Sequence, residues 1–364
     1  MDGRSKIKFI KPCLYEFEKQ RILTPEYTTK CFNNGIIVQI NLDNCSLQRM
    51  EELSPTSTLD DVERVGLLPL VDLLQNGEVS LTAIGVNEMP DLWVKKSITA
   101  YHNFCNLFWP GHVDDPDATS RKYDPTSKKS KVCFKELSDD ARTTLGMHYI
   151  SMLQIQNIKI NYASHSPEEK LEIYINSMIG FINIISAYEL EIAKYAFWEI
   201  DSNTINRLPS KISKRRKYIK QNFYRNGSSL DKCRWHAFDA AMDLHWLIGA
   251  NFSEDLEAKI RINNKNYKID HWVGTNDHKL YHIAQDIHHI YHEKSTLKAL
   301  SMAREKELSE FQYWKNVDNI SSNILNFRRK SLPNISEEYT DKIDLAVNII
   351  ERDLYNYFLK NEKN

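Results

Sequence analysis

The chain has 364 residues, 41% of them hydrophobic and 27% charged, which is typical of a folded globular protein and excludes a disordered one. Its formal net charge of −1 argues against a protein that binds nucleic acid with its whole surface, so any basic surface must be local. The six cysteines show no CxxC spacing, which favours reduced thiols over a disulfide framework or a zinc finger.

Two further features bear on location. The N-terminal sequence MDGRSKIKF lacks the apolar stretch of a signal peptide. The most apolar segment, YINSMIGFINIISAYELEIAKYAF, is interrupted by asparagine and glutamate, so it predicts a buried helix and not a membrane span. We therefore expect a cytoplasmic protein with no membrane partner.

Three segments have the pattern of β-strands. The apolar run Gly35–Asp43 follows the turn signal NNG. The segment Lys259–Asp270 alternates around Asn263 and Asn264, as a hairpin would, and His271–Asp277 is short and apolar before it turns polar. These segments predict a small sheet.

The remaining patterned segments predict helices. LTAIGVNEMPDLWVKKSITAYHNFCNLF is expected to begin a helix beside Ser80 or Thr82, because both are good N-cap residues. DKCRWHAFDAAMDLHWLIGANF predicts another helix, and the run from Asp277 to about Phe327 is expected to be helical as well. The polar stretch Trp109–Val132 is expected to be a loop.

These elements predict a helix-rich α/β fold in which a small, mostly parallel sheet is interrupted by a helical insert and packed with it. The expected α/β core is split between residues 30–95 and 230–295. A helical insertion is expected over residues 96–229 and C-terminal helices over residues 296–364.

Several acidic residues lie at strand ends or on predicted helices, where the fold could bring their carboxylates together. Asp43 and Asp277 each end an apolar strand, and ligands of open α/β sheets bind beyond the carboxyl ends of the strands. Glu88 lies early in a predicted helix, and Asp239 and Asp243 are four residues apart on one helix face. Converging carboxylates repel unless cations lie between them, so Mg²⁺ or Mn²⁺ is the expected occupant.

The order of the motifs INLDNCSL, SLTAIGVNEM, RWHAFDAAMDL and VGTNDHKL resembles the PIN-domain nucleases. The resemblance implies a metal-dependent ribonuclease that cleaves single-stranded RNA with a water activated by carboxylate-bound Mg²⁺ or Mn²⁺. It covers about a third of the chain and leaves the helical insertion unexplained. Carried onto this sequence, the implied catalytic and metal-binding residues are Asp43, Glu88, Asp239 and Asp277, with Thr275 as the hydroxyl of the T-x-D turn and Asp243 as a supporting acid.

Several histidines lie near these acids in the sequence. His278, His282, His289 and His292 are expected on one broad helix face, and a histidine-rich metal phosphohydrolase is the alternative enzyme that they favour. Their spacing matches no strong metal motif, so His278 and His236 are instead expected to support the acidic site.

A basic segment with interleaved aromatic residues, Ser210–Gly227, is the expected contact for nucleic acid. RNA is the expected substrate and DNA the less favoured one. An inhibitory or activating protein partner, and a role as a toxin or in antiviral defence, are further expectations. The proposed nucleic-acid contacts are Lys214, Arg215, Arg216, Lys217, Lys220 and Arg225.

Non-catalytic interpretations remain open at this point. An aspartate after a strand commonly caps the next helix, and Asp43 and Asp277 could do only that. The chain could also be a helical interaction protein on an inactive PIN-like core.

Overall fold

The structure is a computed structural model of the chain. It describes residues 5–11, 13–15, 22–110, 123–124, 126–255, 259–262, 265–291, 299–302, 305–328 and 339–361. Most of the expected loop Trp109–Val132 lies outside these residues, as does His292. The chain divides into a first unit, Met1–Val132 with Trp246–Ala299, and a second unit, Cys133–His245 with Leu300–Asn364.

Eight strands are described. In chain order they are β1 Lys8–Ile10, β2 Cys13–Tyr15, β3 Ile36–Leu42, β4 Val79–Thr82, β5 Lys259–Ile262, β6 Lys265–Thr275, β7 Ile287–Tyr291 and β8 Ala299–Met302. In the first unit β3 lies between β4 and β6 and is parallel to both. Strands β1 and β5 pair with β6 in the antiparallel direction, which makes the sheet a mixed one.

The helices are longer and more numerous than the strands. In chain order they are α1 Pro25–Asn33, α2 Asn44–Met50, α3 Leu59–Val65, α4 Leu68–Asn76, α5 Asp91–Phe108, α6 Asp139–Asn161, α7 Pro167–Ile182, α8 Ala187–Phe197, α9 Ser202–Arg207, α10 Ser210–Phe223, α11 Leu230–Asp255, α12 His278–Asp286, α13 Gln312–Arg328 and α14 Tyr339–Asn361. Short 3₁₀ turns cover Ile84–Glu88, Phe134–Glu136 and Lys306–Glu310. The boundary between the units falls within α11.

The fold is therefore the helix-rich α/β fold with a small sheet that the sequence predicts. The hairpin is also confirmed, because β5 and β6 pair on either side of Asn263 and Asn264. Two predictions are wrong. Ser80 and Thr82 lie in β4 and cap no helix, since this segment pairs with β3 about forty residues away in sequence. The helix that starts after Asp277 ends at Asp286, and β7 follows it and pairs with β2.

None of the helices in the described part of the chain has both the length and the apolar character that crossing a bilayer requires.

The sheet is packed on both of its faces. Val38, Ile40 and Leu42 of β3 are fully buried in the hydrophobic core of the first unit, as is Trp272 of β6. Successive residues of a strand point to opposite faces. Ile37, which precedes Val38 and is also buried, therefore indicates that the second face is covered at this position. A strand buried on both sides is what a parallel sheet requires.

A buried ion pair joins the N-terminal segment to the sheet. Lys11 donates to Asp270 of β6, whose other carboxylate oxygen accepts hydrogen bonds from Tyr27 at 2.9 Å and from the indole of Trp272 at 3.0 Å. Burial by itself would raise the pKa of Asp270, but Lys11 and these hydrogen bonds reverse the effect and lower the pKa. Asp270 is therefore a fully partnered structural carboxylate.

We expect Asp270→Asn to lower the free energy of unfolding by about 3 kcal/mol, because it leaves the Lys11 ammonium buried without its counter-charge. The matched control is Asp60→Asn at an exposed position of the same unit, for which a change below about 0.5 kcal/mol is expected. Urea titrations followed by circular dichroism measure both. Equal effects of the two substitutions would contradict a structural role for this pair.

Candidate functional site at the carboxyl ends of the parallel strands

Strands β3 and β6 end side by side. Leu42, the last residue of β3, is paired with Gly274, and β6 ends one residue later at Thr275. The backbone N–H of Asp43 donates to the carbonyl oxygen of Gly274 at 3.1 Å, which continues the ladder past the strand end. Because the strands are parallel, the residues that follow each one emerge at the same edge. The chain thus brings Asp43 and Asp277 to one place across more than two hundred residues of sequence.

Asp43 is held by both of its carboxylate oxygens. Oδ1 accepts a hydrogen bond from the backbone N–H of Ser46 at 2.8 Å, which makes Asp43 the N-cap of α2. Oδ2 accepts a hydrogen bond from the hydroxyl of Thr275. The N-cap interpretation is therefore correct, but it accounts for one oxygen only. The second oxygen is bound by a residue of the neighbouring strand.

Thr275 connects the two aspartates. Its Oγ1 donates to Asp43 and accepts the backbone N–H of Asp277 at 2.8 Å. Asp277 in turn caps α12, with Oδ1 accepting the N–H of Lys279 at 2.7 Å and that of Leu280 at 3.2 Å. Since one hydroxyl bridges Asp43 and the turn that carries Asp277, the relative position of the two carboxylates is set by the fold.

The electrostatics of Asp43 are unusual for a helix cap. Its side chain is buried, with 5% of its surface exposed. Burial raises the pKa of Asp43 to about 6, although the hydrogen bonds from Thr275 and Ser46 act in the opposite direction, and the nearby charge of Asp277 raises it further. A single cation bound between the two aspartates would reverse both of the effects that raise the pKa.

Gly85 brings the turn after β4 against this site. A Cβ atom added at Gly85 would lie 2.5 Å from the carbonyl carbon of Asp43 and 2.6 Å from the backbone nitrogen of Asn44. No side chain fits in that space, so the glycine permits a close approach of two backbones. The 3₁₀ turn Ile84–Glu88 is therefore seated beside the N-terminus of α2.

Glu88 ends that 3₁₀ turn and is partly buried. The predicted helix around Glu88 is wrong, because the helical part begins only after the strand β4. Its carboxylate accepts a hydrogen bond from the indole N–H of Trp246, a residue of the first unit. The assignment of Glu88 as a metal ligand stays a prediction.

The donor set suits a hard cation such as Mg²⁺. Asp43 and Asp277 are carboxylates, and the hydroxyls of Ser46 and Thr275 and the amide oxygen of Asn276 surround them. Among the described residues no three His, Cys, Asp or Glu side chains are grouped so that they could hold a metal by themselves. Mg²⁺ commonly takes one or two carboxylates and keeps water or substrate phosphate as its other ligands, so a two-carboxylate site fits it.

Asp239 belongs to the second unit, on α11, where its carboxylate forms an ion pair with Arg225. Asp243 is partly buried one helical turn further on. Oδ2 of Asp239 accepts the bond from this guanidinium, and the role of Asp239 as a metal ligand stays a prediction. His236 precedes it on the same helix, and burial and the charge of Arg225 lower the pKa of His236. His236 is thereby kept neutral, as a supporting hydrogen-bonding residue would be.

The predicted nucleic-acid segment forms α10, and the structure corrects its most buried member. Arg215 has 1% of its surface exposed and donates to both carboxylate oxygens of Glu305, at 3.0 and 2.9 Å. It cannot reach a phosphate from this position, so Arg215 is a structural residue. Arg225 is committed to Asp239, whereas Lys214 and Lys217 are exposed.

The predicted histidine face is wrong as well. His278 and His282 are exposed on α12, but that helix ends at Asp286, so His288 and His289 lie in β7. Residues of a helix and of a strand do not share one helical face. His278 remains next to Asp277 in sequence and stays a candidate for a supporting role.

Ser46 and Asn276 were missed as candidates from the sequence. Ser46 Oγ donates to the carbonyl of Gly274 at 3.0 Å and to the side-chain oxygen of Asn276 at 3.1 Å, and Asn276 donates to the carbonyl of Ser5. Their positions in the sequence could have identified them, since Ser46 follows Asp43 by three residues and Asn276 directly precedes Asp277. These buried polar groups close the network between the two strand ends.

The chain matches no protein-family model, no curated protein and no solved structure.

We expect the stability of the metal-free protein to depend on the ionisation of Asp43. Because folding raises the pKa of Asp43 from 3.8 to about 6, the contribution of this carboxyl group to stability is fully present below about pH 4 and is lost as the pH rises through about 6. The loss attributable to this carboxylate should be on the order of 3 kcal/mol.

The matched comparison is Asp43→Asn in a chelating buffer, with thermal or urea unfolding measured from acid to neutral pH. The variant should lack this loss, so its free energy of unfolding relative to that of the wild type should increase as the pH rises. A difference between the two proteins that does not change with pH would contradict this account of the charge.

Proposed function

We propose that the protein is a metal-dependent nuclease of PIN-like type that cleaves single-stranded RNA. One observation supports this most directly. The buried carboxylate of Asp43, at the end of the central parallel strand, is linked through Thr275 to Asp277 at the end of the neighbouring strand. Two acids of this kind at the carboxyl edge of a parallel sheet are what the resemblance to the PIN-domain nucleases implies.

Asp43 and Asp277 would hold one Mg²⁺ or Mn²⁺ ion, with Glu88 as the further carboxylate of the first unit in the proposed set. When bound, the ion would supply an activated water and stabilise the oxygens of the phosphodiester. The residues of the chain do the positioning. Thr275 orients Oδ2 of Asp43, and the N-terminus of α2 orients Oδ1, so the carboxylate presents its remaining lone pairs in a fixed direction.

Preorganisation is the contribution that this geometry can make to catalysis. A carboxylate held by two hydrogen bonds in a buried site does not have to reorient when the ion and the substrate bind. The N–H groups at the start of α12 are occupied by Asp277, so the positive end of that helix stabilises the charged carboxylate. Both helix termini therefore point at the place where negative charge would collect.

RNA is the proposed substrate, with DNA less favoured, and the exposed lysines of α10 are its proposed contacts. Lys214 and Lys217 lie three residues apart on the exposed side of this helix. We place the activity in the cytoplasm, to which the free thiols of the described cysteines are suited. An inhibitory or activating protein partner and a toxin or antiviral role belong to the same proposal.

The test is cleavage of end-labelled single-stranded RNA and DNA of the same sequence, with Mn²⁺, Mg²⁺ or EDTA. We expect cleavage of RNA that EDTA abolishes, and a loss of at least about a hundredfold in Asp43→Asn and in Asp277→Asn. Asp60→Asn is the control, because it removes an exposed acid of the same unit and should retain full activity.

Metal binding can be measured without any activity. Mg²⁺ or Mn²⁺ should raise the melting temperature of the wild type at neutral pH, because an ion that binds only the folded state stabilises it. The increase should be absent in Asp43→Asn and present in Asp60→Asn. A wild type that neither cleaves nor responds to the ions would support a non-enzymatic interaction protein and overturn the proposal.

A further inference from the structure

Four cations from three helices of the second unit lie close together on α6, α7 and α10. They are Lys159, Lys170, Arg216 and Lys220, and they are called the cationic cluster below. The ammonium groups of Lys159 and Lys220 lie 4.1 and 5.6 Å from the centroid of the same ring, that of Tyr224. Lys170 is buried and reaches Glu199 at 3.1 Å.

Arg216, the fourth cation of the cluster, contacts Trp198. Its guanidinium donates to the carbonyl oxygen of Trp198 at 3.1 Å and lies 5.7 Å from the centroid of the indole ring. Aromatic faces and carbonyl oxygens stabilise cations partly, but they carry no net charge. Among the described residues, the acid that meets the cluster is Glu199, whose side chain is 65% exposed. The cations therefore outnumber the carboxylate that meets them.

The proximity of these charges also shifts their pKa values. Burial lowers the pKa of Lys220 to about 8, and the nearby charges of Arg216, Lys159 and Lys170 lower it further, whereas Glu199 acts in the opposite direction. Lys159 and Arg216 also have lowered pKa values, chiefly because of burial. Like charges that share a half-buried place repel each other, and a bound anion would relieve this cost.

An ordinary structural explanation covers only part of the arrangement. Lys159 and Lys220 lie in the last turns of α6 and α10, where the partial negative charge of a helix terminus stabilises a cation. That, together with the hydrogen bond from Lys159 to the carbonyl oxygen of Tyr224 at 2.8 Å, explains why each lysine is tolerated, but it does not explain why both ammonium groups lie beside the ring of Tyr224. Elsewhere in this unit the buried Arg215 is paired with Glu305, and the partly buried Arg234 is paired with Glu351.

We propose that the cationic cluster is a binding site for a phosphate group, with Lys159, Lys220 and Arg216 as its direct donors and Lys170 as the buried cation behind them. Three ammonium groups and a planar guanidinium suit the oxygens of a phosphate, and Tyr224 offers an aromatic face beside it. The phosphate belongs either to a nucleic-acid strand or to a small phosphorylated ligand, and the two kinds of probe below distinguish these sources. The site does not depend on the nuclease proposal, since it uses none of the acids of the first unit.

Glu199 gives the proposal its sharpest test. The carboxylate of Glu199 forms an ion pair with Lys170 and competes with an incoming anion. Removing the charge of Glu199 should therefore strengthen phosphate binding. Glu199→Gln keeps the shape of the side chain, and it removes no cation from the cluster. A gain of affinity cannot result from partial unfolding, which makes this variant more informative than any loss.

The experiment measures binding to the full chain in EDTA, with two kinds of probe. Inorganic phosphate and adenosine monophosphate are titrated by calorimetry, and a fluorescent single-stranded oligoribonucleotide is titrated by anisotropy at several salt concentrations. The variants are Lys159→Gln, Lys220→Gln and Glu199→Gln. Lys315→Gln is the matched control, because it removes an exposed charge from α13 of the same unit and leaves the cluster intact.

We expect Lys159→Gln and Lys220→Gln each to weaken binding about tenfold, and Glu199→Gln to strengthen it several-fold, with less than about a twofold effect of Lys315→Gln on any probe. If the phosphate comes from a strand, the oligoribonucleotide binds where phosphate and adenosine monophosphate do not. The slope of log K against log salt then falls by about 0.7 for each lysine lost from the cluster.

If the phosphate comes from a small ligand, phosphate or adenosine monophosphate binds and the oligoribonucleotide does not compete with it. The proposal is overturned by no binding of any probe, and by equal effects of Lys315→Gln and the two cluster variants. Glu199→Gln without a gain of affinity would overturn it as well. Circular dichroism melts of each variant separate a lost contact from a lost fold.

Discussion

Asp43 places a carboxylate inside the protein at the end of the central strand, where no basic side chain of the described residues is among its partners. The surrounding structure is built to tolerate it. The α2 terminus and the hydroxyl of Thr275 stabilise the ionised form, yet burial keeps the pKa at about 6. The close approach at Gly85 and the buried Ser46 show how little room the site leaves for change.

The same unit contains a second buried carboxylate with the opposite character. Asp270 is balanced by Lys11 and by two hydrogen bonds, and its pKa is lowered. Two aspartates near one sheet thus differ in what burial does to them, because one has a counter-charge and the other has none. A buried acid whose charge is left for something else to balance is the better candidate for a functional site.

This contrast applies to cations as well. Arg215 is a basic residue in the most basic stretch of the sequence, yet it is fully paired with Glu305 and serves the fold. Lys159 and Lys170 lie outside that stretch, yet Lys159 lies over the ring of Tyr224 and Lys170 pairs with Glu199 in the proposed cluster. The local density of charge along the chain is therefore a poor guide to where charge is left unbalanced, since balance is decided by partners distant in sequence.

Local pattern was sufficient for the helix-rich α/β class, the strand Ile36–Leu42, the hairpin of β5 and β6, and the caps at Asp43 and Asp277, because periodicity and capping act between residues close in sequence. Only the tertiary structure decided that Val79–Thr82 is a strand, that the histidine run divides between α12 and β7, and that Thr275 joins the two aspartates. Each of these depends on pairing or burial against residues far along the chain, and a local pattern does not contain that information.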